Sequence, residues 1–348
     1  MITANAELSP IKKDRSAKGK LKRPNVERTR LGLVRSMADV TIVDTSPRDG
    51  PVALPKIRTQ DKVALANSLM QNGSIKIDCV AFTHPRLRPE YADAEKVVGG
   101  LEKRSGVTVI GLAPNEIACR RALNTNVDEI GILVAGSESF NRSVLGISIR
   151  KTLYKIFPAI IQACREKRKT VRVYLLTAFC CQYEGRIPIK NIVELASKLA
   201  FLGVNEISLV DTPGMANPKT VKDTIDALQD LNLEANLAVH FHNTRGLGIA
   251  NCLAAYEAGV RIFDTAIGGL SGTPFGAPKM EVGSWNVPTE DMVYLFNEMG
   301  VNTGINFDAL LDSVKLAQKM AGRELSGHAL KARTTFEVSN FPEPLKMN

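Results

Sequence analysis

The sequence predicts an α/β protein built as a single eight-stranded parallel barrel, a TIM (β/α)8 barrel with a short C-terminal helical extension. Two observations carry this. From Val40 onward, short, almost continuously apolar β-rich runs alternate with helical stretches of roughly 10–20 residues, the pattern of a parallel sheet covered on both faces. About eight such units fit into roughly 250 residues, the count of a closed barrel. A doubly wound open sheet is the competing architecture. It needs fewer strands and a Gly-rich first turn, and neither is found.

The units run in order. Strands are expected over 40–44, 75–82, 107–112, 129–134, 170–177, 206–211, 235–242 and 261–267, each a Val/Ile/Leu-rich run bounded by polar or glycine residues. Helices are expected over 59–70, where Val63, Leu65, Leu69 and Met70 form an apolar side, and over 90–103, 115–123 and 147–167. Further helices are expected over 189–201, 218–231, 249–258 and 290–299. Residues past about 305 supply one or two more helices and a Pro-containing tail. The expected organisation is therefore an N-terminal arm (1–38), a catalytic barrel (39–305) and C-terminal helices with a tail (306–348).

Charge is distributed unevenly. The formal net charge is +9, but residues 1–38 hold ten Lys/Arg against three acidic residues, so the arm accounts for +7 of it. The rest of the chain is nearly neutral. A solvated arm is expected from this composition, and no nucleic-acid partner. The arm lacks the apolar core of a secretory signal, and its acidic residues count against a transit peptide. No apolar run reaches the roughly 18 residues of a membrane span. The six cysteines show no CxxC pair and read as reduced thiols. A cytoplasmic protein is expected, or a mitochondrial matrix protein if the arm is a transit peptide.

Catalytic groups of such a barrel belong at the C-terminal ends of the strands. Those ends carry polar residues almost throughout: Asp44–Gly50 after the first strand, Asp78 in the second, Glu184 beyond the fifth, Asp211-Thr212-Pro213-Gly214 at the sixth. The seventh ends in His240-Phe241-His242-Asn243, holding two of only four histidines. An H-x-H pair on a strand turns both imidazoles to one face, because strand side chains alternate with period two. Two imidazoles with the carboxylate of Asp49 suit a divalent cation of moderate hardness. Arg48 beside them suits an oxyanion. A cation chelating vicinal oxygens, together with an arginine, stabilises an enolate, as aldol-type carbon–carbon cleavage requires. Asp78, Asp211 and Glu184 are the carboxyls available to move a proton. His84 is a lesser candidate.

These residues resemble a known family. Asp44-x-x-x-Arg48-Asp49-Gly50, Gln182-Tyr183-Glu184-Gly185, Glu206–Gly214, His240-x-His242-Asn243 and Asn286-x-x-Thr289-Glu290-Asp291 follow one another as in the DRE-TIM metallolyases, most closely the 3-hydroxy-3-methylglutaryl-CoA lyases. The resemblance runs from about Val40 to about Ile305. It implies Asp49, His240, His242 and Asn286 as ligands of Mg2+ or Mn2+ and Arg48 as enolate stabiliser. It also implies Asp78 and Asp211 in proton handling, an acyl-CoA substrate and a homodimer. The chain departs from the pattern in four places. Thr273 replaces the catalytic cysteine of the loop after strand eight, which here reads Gly269-Leu270-Ser271-Gly272-Thr273-Pro274. Asp78 stands where the family has glutamate, a glutamine is missing after Gly50, and the stretch from Thr273 to Asn286 is long. A threonine hydroxyl has a far higher pKa than a thiol, so the particular substrate is left open. Another aldolase or Claisen-type condensing enzyme of the superfamily, or a barrel that has lost catalysis, are the alternatives.

Overall fold

In the computed structural model, residues 38–54, 57–272 and 285–332 are described. Eight parallel strands close into a barrel in sequence order: β1 (Thr41–Asp44), β2 (Lys76–Ala81), β3 (Thr108–Leu112), β4 (Glu129–Ala135), β5 (Thr170–Leu176), β6 (Glu206–Asp211), β7 (Asn236–Phe241) and β8 (Ile262–Thr265). The barrel closes where Asp44 of β1 pairs with Thr265 of β8. The strands are buried almost end to end, which is why they read as unbroken apolar runs rather than as alternating ones. A register shift between Asp78 and Val80 in β2 is the one irregularity in the described strand pairs.

Three local differences from the sequence expectation have physical causes. Ser46–Ala53, read as a loop, is a helix despite Pro47, Gly50 and Pro51. Pro47 sits in its first turn, where a missing N–H costs nothing. The helix expected over 90–103 shrinks to a 3-10 turn (Pro89–Tyr91) and a short helix (Ala94–Gly99), stopped by the Gly99-Gly100 pair. The long helix expected over 147–167 starts earlier and is interrupted. Glu138–Leu145 is closed by Gly146 in a left-handed conformation at φ 70°, and Ser148 then starts a new helix by accepting the Lys151 N–H. Thr152–Ile156 form a π turn immediately before Pro158, whose ring cannot sit over the carbonyl of a regular preceding turn. A two-stranded hairpin, Cys180–Cys181 with Gly185–Arg186, follows β5, where no further strand pair is expected from the sequence.

The C-terminal helix Phe307–Ala321 starts at Asn306, whose side chain accepts the Ala309 N–H, and ends at Gly322. It lies against helix Thr59–Gln71, with Ser313 Oγ 2.6 Å from Ser68 Oγ. Among the described residues no helix is long and apolar enough to cross a membrane.

Candidate active site

The site is assembled at the C-terminal rim from the first turn after β1, the ends of β2 and β7, and a returning segment after β8. Asp44 fixes the first turn. Its carboxylate accepts the Ser46 N–H at 2.9 Å and the Thr289 hydroxyl at 2.6 Å, while Ser46 Oγ accepts the Ile267 N–H at 2.7 Å. Burial pushes the Asp44 carboxyl up to about 6, against these bonds. The short helix then projects Arg48 and Asp49 over the barrel mouth, and the Tyr91 hydroxyl clamps the Arg48 carbonyl at 3.0 Å.

Arg48 is held between two carboxylates, with Nη1 2.6 Å from Asp49 Oδ1 and Nε 2.5 Å from Asp78 Oδ2. That leaves Nη2 for a bound oxyanion. Asp78 Oδ2 also accepts the Tyr174 hydroxyl at 2.5 Å, and Asp78 Oδ1 is buried without a protein partner among the described residues. Burial raises the Asp78 carboxyl against the pull of Arg48 and Tyr174.

Asn286 is the keystone. It pairs in an antiparallel bridge with His242, so its segment returns along the end of β7 whatever the length of the loop before it. Its Nδ2 donates toward Asp49 Oδ2 (3.0 Å), Leu270 O (3.2 Å) and Thr45 Oγ1 (3.3 Å). These acceptors orient the amide, so Oδ1 faces His240 Nε2 at 3.0 Å. His240 Nδ1 lies 3.2 Å from Asp264 Oδ2. Both nitrogens of His240 thus face acceptor oxygens; an imidazolium donates to both, and a neutral imidazole to only one. In the neutral ring with its proton on the Asp264 side, the Nε2 lone pair and the Asn286 oxygen lone pair face one another, the arrangement in which both can serve a cation. The Asp264–His240 bond is the carboxylate–histidine support that metal-binding imidazoles ordinarily have. His242 lies with its ring centroid 5.1 Å from that of His240, the planes at 90°. Its Nδ1 donates to Thr212 O at 2.7 Å, leaving Nε2 with a lone pair. Burial, reinforced by His240, pushes the His242 imidazole down to about 4, so it is neutral at physiological pH. No three His, Cys, Asp or Glu side chains form a ready-made metal cluster among the described residues, and the Asn286 amide contacts both Asp49 and His240. The donor chemistry of the four nonetheless fits a divalent cation.

The structure thus brings Arg48, Asp49, Asp78, His240, His242 and Asn286 together. Asp211 is buried close by, but its oxygens accept the Met215 and Ala216 N–H groups at 2.9 and 3.0 Å and hold the loop after β6. Burial raises it to about 6 against those two bonds. Glu184 lies apart, accepting the Ser139 N–H at 2.8 Å. His84 borders the cavity, with Nδ1 accepting the Arg86 N–H. Cys180 and Cys181 are buried, and neither borders the cavity. Thr273 and the basic arm to residue 37 lie outside the described residues.

Sequence reasoning missed Asp264, Arg172 and Tyr174. The signal was present: Asp264 and Arg172 are lone charges inside apolar strands. Arg172 is fully buried, with Nη2 2.5 Å from Asp264 Oδ1 and its guanidinium 5.0 Å from the Tyr174 ring centre. It thereby supports both poles of the site, His240 through Asp264 and Arg48 through Tyr174 and Asp78. Arg48, Asp49, Tyr174, His240 and His242 border a cavity of about 570 Å³ at the barrel mouth.

A closed parallel barrel with this polar set at its C-terminal rim defines the class, a TIM-barrel enzyme. The chain belongs to the HMGL-like family, whose model matches residues 39–316, and is a carbon–carbon lyase. It is 34% identical over 293 residues to the hydroxymethylglutaryl-CoA lyase YngG of Bacillus subtilis, covering 84% of this chain and 96% of that one. It is 31% identical over 294 residues to a 3-hydroxy-3-isohexenylglutaryl-CoA/hydroxy-methylglutaryl-CoA lyase of Pseudomonas aeruginosa, again 84% and 96%. Among solved structures, an HMG-CoA lyase from Acinetobacter baumannii in complex with coenzyme A and 3-methylmalate superposes with a TM-score of 0.80. It is 32% identical, over 90% of this chain and all of that one.

Proposed function

We propose that this protein is a divalent-metal-dependent lyase that cleaves a 3-hydroxy-3-methylglutaryl-CoA-like thioester to acetyl-CoA and a keto acid. The observation that carries the reading is the mutually facing His240 Nε2 and Asn286 Oδ1, tied to Asp49 on one side and Asp264 on the other. Asp49, His240, His242 and Asn286 would hold the metal, Mg2+ or Mn2+. When bound, it would polarise the oxygens of a β-hydroxy thioester, the C3 hydroxyl among them.

The chain's own groups supply the rest. The C3 hydroxyl gives up its proton, the C2–C3 bond breaks, C3 becomes the ketone of the keto acid, and C2 takes up a proton as acetyl-CoA leaves. Arg48, pinned by Asp49 and Asp78, directs Nη2 at the enolate oxygen as charge develops there. Asp78 and Asp211, both raised by burial, are the carboxyls that would exchange the hydroxyl proton, Asp211 with its carboxyl at about 6. Thr273 occupies the family's thiol position without its acidity, so Thr273→Cys should raise turnover. The same reading takes the protein as a cytoplasmic homodimer, and light scattering checks its mass in solution.

The deciding experiment follows acetyl-CoA release from a panel of 3-hydroxy-3-methylglutaryl-type thioesters. Release that stops with chelator and returns with Mg2+ or Mn2+ supports the reading. A protein that binds metal but cleaves no member of the panel points instead to another aldolase or condensing reaction on the same barrel.

A further inference from the structure

One buried residue at the barrel mouth holds a conformation that its side chain disfavours. Thr177, which follows β5, has φ 52° and is fully buried. A β-branched residue at positive φ is a steric outlier, because its Cβ crowds the carbonyl that follows it. The other described non-glycine residues at positive φ, Arg168 and Asn232, are exposed. The Thr177 hydroxyl does not offset the strain, since Oγ1 is buried with no hydrogen-bond partner among the described residues. What the conformation secures is the direction of a backbone N–H. It donates to Thr212 Oγ1 at 2.7 Å, and Ala178 then returns to β6 by donating to Val210 O at 3.0 Å. Thr212 is therefore held twice. Its side chain accepts from Thr177, and its carbonyl accepts the Nδ1–H of His242 at 2.7 Å. Thr212 is itself buried and borders the cavity. Backbone strain persists only where the surrounding structure over-determines it, and it gathers at sites whose geometry it sets.

We propose that Thr177 is a positioning residue for His242: its N–H fixes Thr212, and the Thr212 carbonyl holds the imidazole as the Nδ1–H tautomer, leaving Nε2 as the unprotonated donor. The inference rests on the metal-dependent reading above and adds to it the chain of bonds that sets one ligand. An acceptor on the far nitrogen fixes the tautomer and orientation of a metal-binding imidazole. The turn beyond Thr212 is held separately by Asp211, which accepts the Met215 and Ala216 N–H groups. Thr177 acts instead on the one residue whose carbonyl reaches His242. The competing role is structural only, an acceptor supplied to a buried N–H that needs one. Removing a bond of that kind lowers stability and leaves His242 as it was.

The test uses the full-length protein with 15N-labelled histidine; the chain has only 4 histidines, so each imidazole signal can be assigned by substitution. Thr212→Val keeps the shape and the carbonyl but deletes the acceptor for Thr177. Thr212→Ala deletes it without adding a methyl group and serves as an independent variant. In metal-free protein, exchange of the His242 Nδ1–H with water should rise about tenfold in both. The Kd for Mn2+, read by calorimetry, should rise about 10–100-fold. Thr212→Ser restores the hydroxyl and should bring both quantities back to within about threefold of the parent. A lower unfolding midpoint with unchanged exchange and unchanged Mn2+ affinity makes the bond structural only and overturns the proposal. A parent protein that binds no Mn2+ refutes the metal reading, and the exchange rates then decide alone: faster exchange in the variants upholds the positioning role, and equal exchange overturns it. Rapid exchange of the Thr177 amide in the parent protein overturns it without any variant.

Discussion

Both ends of the barrel hold buried charges and treat them differently. At the N-terminal end, Lys76 lies 2.7 Å from Glu129 and 2.9 Å from Glu206, and Arg172 Nη1 lies 2.6 Å from Glu206 Oε1. There the first residues of three strands and one interior arginine close into a network in which every charge meets its opposite. The Arg172 Nη1 and Lys76–Glu129 Oε2 contacts are ion pairs without hydrogen-bond alignment, and Arg172 Nε has no hydrogen-bond partner among the described residues, so charge rather than geometry dominates this network. At the C-terminal end the polar groups meet incompletely. His240 faces two acceptors, and Asp78 Oδ1 is buried without a hydrogen-bond partner among the described residues. Paired charges make a floor, and unpaired ones make a site for something not part of the chain. Arg172 and Asp264 join the two regions.

The largest expected effect removes a charge from the incomplete end. Asp49→Ala deletes a charged donor, releases Arg48 and leaves Asn286 Nδ2 with one acceptor fewer. Metal-dependent acetyl-CoA release should fall by a factor of about 10³ or more, since polarisation by a cation supplies several kcal/mol. The unfolding midpoint should move little. Full activity in a folded Asp49→Ala protein would sink the site assignment.

Breaking the complete end should do the reverse. Arg172→Met removes the cation from Asp264 and Glu206 at full burial, and leaving such charges unpaired costs about 3–5 kcal/mol. Urea unfolding measures this, and a loss below about 1 kcal/mol would mean that water or rearrangement compensates the network. The link between the ends is probed by Asp264→Asn, which keeps the shape but weakens the support of His240 Nδ1. Metal affinity should drop about 10–100-fold with the fold retained. Equal affinity for Mn2+ in the variant and the parent would separate the floor from the site.

How much of this was legible follows the same division. Eight buried parallel strands announce themselves as apolar runs, so the barrel and its polar ends were readable, His240-x-His242 most plainly. The Ser46–Ala53 helix was not, because Pro47, Gly50 and Pro51 give it the composition of a loop; bonds from distant residues, Thr289 to Asp44 and Tyr91 to Arg48, hold it. Asn286 was placed in doubt by the long stretch before it, yet its pairing with His242 fixes it independently of that length. Arg172 and Asp264 read as anomalies inside strands, and only three-dimensional closure shows that they meet across the barrel.

The finest test compares two acids buried to the same degree. Burial pushes the Asp264 carboxyl up, but Arg172 and then His240 outweigh it and hold the group at about 2. Burial also pushes Glu290 up, and there only backbone N–H groups oppose it, chiefly that of Gly268 at 2.9 and 3.1 Å from the two oxygens and then its own, so the group rises to about 8. The signs follow. Asp264 contributes stability that is present above pH 3.8 and lost as pH falls toward 2. Glu290 binds its proton more tightly folded than unfolded, so its contribution is complete below pH 4.5 and is lost as pH rises toward 8. Glu290→Gln keeps the acceptor for Gly268 and removes the titration. Between pH 5 and 8 the urea midpoint of the parent protein should therefore decline relative to that of Glu290→Gln. Parallel curves across that range would mean that Glu290 is ionised throughout, and that a counter-charge or water at Gly268 does for it what Arg172 does for Asp264.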